Sequence, residues 1–136
     1  MNGATIKKLL TEQWPAKYIF RGVYPSDRLP KHVPEGMAHA FVINTDTHTK
    51  PGEHWVAVYV SPFAKATYFD SFGMVPFPKA IDTFIRDNGW RLQTNPITLQ
   101  SFTAATCGLY CVLFIEHMCK GGNLRDFFQR FTPYAH

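Results

Sequence analysis

The chain has 136 residues, with 14 Lys and Arg against 10 Asp and Glu for a formal net charge of +4, and 46% of its residues are apolar and 15% aromatic. That content can fill the core of one domain over residues 1–136 and argues against a disordered or low-complexity chain. The longest apolar run, Leu109 to Ile115, falls well short of the ~20 residues of a membrane-spanning helix, so no membrane partner is expected.

Met1 to Lys8 has no long apolar stretch, so no signal peptide is expected. Cys107, Cys111 and Cys119 form an odd, clustered set that cannot be a disulfide framework and points to a reducing compartment with at least one free thiol. A pI of about 9.1 invites a nucleic-acid partner. The positive residues are scattered with no basic run, so an ordinary solvated surface stays equally open.

Ile6, Leu9, Leu10 and Trp14 recur at helical spacing after Thr5, a candidate cap, and Pro15 ends that first helix. Tyr18 to Pro34, rich in proline and aromatics, reads as loop with one extended piece. Ala40 to Asn44 has strand composition, Thr45 to Gly52 is a polar turn, and His54–Val60 with Ala66–Phe72 forms an antiparallel hairpin across a short connection. Ile81, Phe84 and Ile85 mark a helix closed by Gly89, and Trp90 to Gln93 a further strand ended by Asn95-Pro96. Cys107 to Lys120 is apolar on nearly every side and predicts a buried helix. Leu124, Phe127, Phe128 and Phe131 share one stripe of a last helix. The fold class that follows is α+β, with helices packed on a small, mainly antiparallel sheet.

Cys107 opens the most hydrophobic helix, where unpaired N–H groups and the helix dipole favour thiolate over thiol. Cys111 and Cys119 fall inside that helix body and read as core residues. A thiolate nucleophile needs a base, and His54, at the start of a strand after the polar turn, is the histidine a scaffold would present to a cleft. His32, His39, His48 and His136 read as solvated loop or terminal residues, and His117 as a satisfied core or flank residue. The hairpin returns residues 70 to 73 toward His54. Asp70 could therefore accept the second imidazole N–H and fix its tautomer, although Asp70-Ser71-Phe72-Gly73 is equally good turn chemistry. Gln100, seven residues before Cys107, could donate to the oxygen of a tetrahedral intermediate together with the Cys107 N–H. The Cys and His spacings do not suit zinc, and no phosphate-binding glycine loop is present.

Taken in order, His54-Trp55, Tyr68-Phe69-Asp70-Ser71-Phe72-Gly73, Gln100 and Cys107-Gly108-Leu109-Tyr110-Cys111 resemble the adenovirus-type cysteine proteases, the adenain family. That family shares its fold and its order of His, acid, Gln and Cys with the SUMO-specific and other ubiquitin-like proteases. The likeness continues through Tyr18 to Tyr24 and Ala40 to Thr45 and covers roughly Ile6 to Phe131. It implies Cys107 as nucleophile, His54 as base and then acid, Asp70 as orienting acid and Gln100 as oxyanion donor. The implied reaction is cleavage of precursor polypeptides of a DNA virus or virus-like element at Gly-Gly or Gly-x-Gly sites, in the host nucleus or the virion.

Asp70 departs from the Glu of adenovirus members, Thr106 from the Asp of SUMO proteases, and the family's longer C-terminal region is expected to be mostly missing. No cysteine falls between Gly89 and Asn95, so no covalent peptide cofactor is expected. No cofactor is required on this reading, and non-covalent activation by DNA or a peptide stays open. The competing expectations are an isopeptidase acting on ubiquitin or SUMO and a catalytically idle module binding DNA or protein.

Overall fold

A computed structural model describes residues 1–49, 54–95, 98–99 and 106–131. Helix α1 (Gly3–Glu12) is capped by Asn2, whose side-chain oxygen accepts the Thr5 N–H at 2.9 Å. The cap therefore lies three residues before the predicted Thr5, because an extended Asn2 can satisfy a first-turn donor that Thr5, already helical, cannot. Ile6 and Leu10 bury the inner face of α1. A 3₁₀ turn, Ala16–Tyr18, leads into strand β1 (Phe20–Pro25), the extended piece expected in the aromatic and proline-rich segment.

Strands β2 (His39–Asn44), β3 (Trp55–Val60), β4 (Lys65–Phe69) and β5 (Arg91–Thr94) complete a five-stranded sheet in the order β1-β2-β3-β4-β5. The two central pairings, β2 with β3 and β3 with β4, are antiparallel, while β1 with β2 and β4 with β5 are parallel. Parallel edges require crossover connections. Helix α2 (Lys79–Asp87) provides the crossover between β4 and β5, and residues 26–38 provide that between β1 and β2. Gly89, at φ +72°, terminates α2 by donating its N–H to the Arg86 carbonyl.

Both faces of the sheet are covered, which explains why β2 is buried at every position. Ala40, Val42, Ala57 and Phe69 face a core made with α1, helix α3 (Cys107–Cys119) and helix α4 (Leu124–Gln129). Phe41, Ile43, Val58 and Tyr68, from alternate positions, pack with Ile81, Phe84 and Ile85 of α2 and with Trp90. Helix α3 is apolar on most sides because it lies among β3, α1, α4 and the 3₁₀ turn. An aromatic cluster ties its middle to the sheet: Phe69 stacks on Phe114 at 4.9 Å between centroids, and Phe127 meets both edge-on.

His39 departs from the solvated position expected of it. It opens β2 and is only 2% exposed. Its burial is tolerated because both ring nitrogens are bonded: Arg21 Nε donates to Nδ1 at 2.8 Å, and Nε2 donates to the Pro34 carbonyl at 2.7 Å. His117 has the satisfied flank position expected, with Nε2 3.0 Å from the Asn123 carbonyl oxygen. No helix among the described residues is long and apolar enough to cross a membrane.

Candidate active site

Cys107 is the first residue of α3 and is buried. A thiol in that position meets N–H groups that have no partner within the helix, and the Gly108 N–H is among those bonded to it. The neighbouring strand adds another donor: the Trp55 N–H points at Cys107 Sγ, 3.4 Å away. Gly108 lies in a tight space between α1 and β3, where a Cβ would lie 3.1 Å from Ile6 Cδ1 and 3.3 Å from Trp55 Cδ1.

His54 immediately precedes β3 and carries its imidazole between the thiol and Asp70. Nε2 is 2.7 Å from Asp70 Oδ1, with the His54 side chain 15% and the Asp70 side chain 4% exposed. With Nε2 committed to the carboxylate, the buried Nδ1 is left for Cys107, to which the imidazole also hydrogen-bonds. The hairpin register explains the contact. Ala57 pairs with Phe69, and His54 lies three residues before the one while Asp70 lies one after the other. Continued outward, the same register sets Phe72 opposite His54 and Asp70 on the diagonal, within reach of a long side chain. Phe72 covers the imidazole, its ring centroid 4.6 Å away and inclined by 34°.

Electrostatics follow from this packing. Burial opposes a charged imidazole, but the hydrogen bonds and charges of Asp70 and Cys107 outweigh it and raise the His54 pKa from 6.5 to about 9. Burial likewise opposes a thiolate at Cys107, yet His54 and the Trp55 and Gly108 N–H groups bring its pKa below the ordinary thiol value. The other two thiols behave oppositely: burial pushes Cys111 well up and Cys119 up to about 12. The site can therefore hold a thiolate–imidazolium pair at neutral pH, with one activated sulfur among three.

Asp70 is fixed by its own backbone surroundings. Its Oδ1 accepts the Phe72 N–H at 2.9 Å as well as His54, and its carbonyl accepts the Gly73 N–H at 2.8 Å. Asn95 brackets the same residue: Oδ1 accepts the Asp70 N–H at 2.9 Å, and Nδ2 donates to the Asp70 carbonyl at 2.6 Å. Beyond it, the Leu99 N–H donates to the Ser71 carbonyl, and Thr98 Oγ1 to that of Phe72. The structure thus brings together His54, Asp70 and Cys107, three of the four residues singled out in the sequence. The fourth, Gln100, lies outside the described residues. In the sequence Asn95 reads only as the end of a strand, and Phe72 as the last residue of the second hairpin strand or part of a turn. An open groove of about 580 Å³ runs beside Trp55, bounded by Tyr24, Asn44, Thr47, His48 and the first residues of the chain.

The family model for the adenovirus endoprotease matches residues 20–121, a span that contains His54, Asp70, Gln100 and Cys107. A protease of avian adenovirus 8 is 28% identical over 131 residues, covering 85% of this chain and 63% of its own length. The chain thus spans less than two thirds of that curated relative. Among solved structures, an ASFV protease superposes with a TM-score of 0.52 at 25% identity, over 67% of this chain and 38% of that one. The central domain of the Legionella pneumophila protein Lpg1148 superposes with the same TM-score at 14% identity, over 98% of this chain and 88% of that domain, a likeness of fold. The matched span takes in three quarters of the sequence, and the chain belongs to the adenovirus endoprotease family.

Proposed function

We propose that this chain is a cysteine endopeptidase that cleaves viral precursor polypeptides at glycine-rich sites in the virion or the infected cell. The observation that carries the reading is the continuous link from Asp70 through His54 to the thiol at the head of α3, in a chain of a protease family. The groove lined by Trp55, the residue whose N–H meets the thiol, is the surface this reading assigns to an extended peptide.

Cys107 is the nucleophile. Its thiolate attacks the scissile carbonyl carbon, and the resulting oxyanion is stabilised by N–H donors at the start of α3 together with the Gln100 side-chain amide. Collapse of the tetrahedral intermediate breaks the C–N bond, with imidazolium His54 giving its proton to the leaving amine and the acyl group held as a thioester. Neutral His54 then takes a proton from water as the water attacks the thioester, and the thiolate leaves, regenerating the ion pair. Asp70 holds the imidazole in one orientation and stabilises its charged form. Activity of this scheme needs no metal or organic cofactor, and the thiolate is formed by groups of the chain itself.

The reading is tested with Cys107→Ala on an internally quenched peptide carrying a Gly-Gly site. Wild type is expected to cleave at the glycines and the variant to fall to background. Residual cleavage by the variant removes Cys107 from its role, and a wild type inert toward such peptides but active on fluorogenic ubiquitin or SUMO substrates replaces the endopeptidase with an isopeptidase. An inert wild type with no faster alkylation at Cys107 than at Cys111 or Cys119 favours a binding module.

A further inference from the structure

We propose that Asn95 is a positioning residue of this site, its side-chain amide acting as the last rung of the β4–β5 ladder so that the carboxylate of Asp70 is held against His54. The inference rests on the catalytic reading above and adds to it a residue that touches neither the thiol nor the imidazole in the contacts described.

The parallel pairing of β4 with β5 ends with Tyr68 opposite Thr94. Asp70 comes two residues later and is only 3% exposed, so its N–H and carbonyl need partners that the ladder no longer supplies. A side-chain amide has the donor and acceptor of a peptide group. Asn95, itself 1% exposed, presents both to one residue, accepting the Asp70 N–H at 2.9 Å and donating to its carbonyl at 2.6 Å. These paired bonds fix the Asp70 peptide on both sides of its Cα. The carboxylate is then committed by two further contacts at Oδ1, the Phe72 N–H at 2.9 Å and His54 Nε2 at 2.7 Å.

Chemistry narrows the choice at position 95. Serine is too short to span both groups, glutamine carries the amide one methylene too far, and aspartate keeps an acceptor but loses the donor, setting a negative oxygen against the Asp70 carbonyl. Asn95 is also the last residue before the segment leading through Gln100 to Cys107. A change there is read at the acid arm of the site, because its two bonds to Asp70 are lost.

The test measures Cys107 alkylation by iodoacetamide against pH in wild type, Asn95→Ala and Asn95→Asp, with Cys111 and Cys119 as references by peptide mapping and circular dichroism to establish folding. Both folded variants are expected to alkylate at Cys107 about tenfold or more slowly at pH 6.5, with the rise in rate displaced toward that of an ordinary thiol, since displacements near 1 Å in such sites cost up to ~100-fold. With a cleavable peptide, kcat is expected to fall and KM to change little. A wild-type alkylation profile in a folded variant overturns the proposal.

Should neither variant fold, amide exchange in the wild type decides. The Asp70 N–H is expected to be protected like the interior of β4, and exchange as fast as in an exposed loop overturns the proposal. Alkylation does not require peptide cleavage, so an altered profile in an enzyme with no peptidase activity would leave Asn95 in its positioning role and reject the catalytic reading alone.

Discussion

Replacing Asp70 with Asn tests the electrostatic core of the site with the least change in shape. Asparagine can still accept a hydrogen bond from His54 Nε2 and from the Phe72 N–H, the two contacts made by Asp70 Oδ1, but it cannot neutralise an imidazolium. The elevation of the His54 pKa from 6.5 to about 9 corresponds to roughly 3 kcal/mol of preference for the charged ring. That preference survives a burial cost and is shared between Asp70 and the thiolate. Two charges ~4 Å apart at an effective dielectric of ~20 interact by about 4 kcal/mol, and with side-chain exposures of 15% and 4% solvent does little to weaken the pair. We assign about 2 kcal/mol to the carboxylate after its share of the burial cost, equivalent to about 1.5 pH units.

The signs are opposite for the two partners. His54 loses its counter-charge, so its pKa falls from about 9 back toward the ordinary imidazole value. Cys107 then loses the imidazolium that stabilises its thiolate, so its pKa rises. The pH window of the ion pair narrows from both sides: deprotonation of His54 closes it earlier on the alkaline side, and protonation of the thiolate earlier on the acid side. At neutral pH we expect kcat/KM to fall about 100-fold, equivalent to about 2.7 kcal/mol. The assay combines a kcat/KM profile from pH 5 to 10 with iodoacetamide alkylation of Cys107 over the same range. An alkaline limb unmoved from that of wild type, with activity within twofold, would refute the assignment of Asp70 as the group that charges His54.

Two further outcomes follow from groups away from the reacting atoms. Burial and the nearby Arg21 depress the His39 pKa below 6.5, against the opposing bond to Pro34, so the unfolded chain binds more protons below that value. The contribution of His39 to stability should be complete above pH 6.5 and be lost as pH falls through its native value; urea unfolding at pH 7.5 and 5.0 should show the decline, and His39→Gln should flatten it. Phe127, fully buried against Phe69 and Phe114, should cost about 3–5 kcal/mol when truncated to alanine, and equilibrium unfolding showing less than ~1 kcal/mol would mean the cluster can close around the gap.

Local pattern carried most of the elements. The apolar runs of β2, β3 and β4, the glycine stop after α2 and the unbroken hydrophobicity of α3 each reflect forces that act within a few residues, and the described elements lie at those positions. Where the forces act between distant segments, the pattern was silent. Nothing local distinguishes a parallel edge from an antiparallel one, so the crossovers that make both outer pairings parallel were not visible. Likewise nothing in the sequence around His39 announces Arg21 and Pro34 as its partners, because a buried histidine is identified by what satisfies it.

The same distinction divides the site. Cys107 was visible because a helix start imposes its own chemistry on a thiol, and His54 and Asp70 because a short hairpin links them through one register. Asn95 depends on a contact with Asp70, 25 residues earlier in the chain, and the signal available for it was only that of a residue before proline. Groups that perform a reaction are constrained in type, since few side chains can act as nucleophile or base. Groups that position them are constrained by placement, and the same amide could come from any segment that passes within reach. In this chain the residues proposed as nucleophile, base and acid are therefore readable from residue type and order, whereas the residue proposed to aim the acid becomes readable only when β4 and β5 lie side by side.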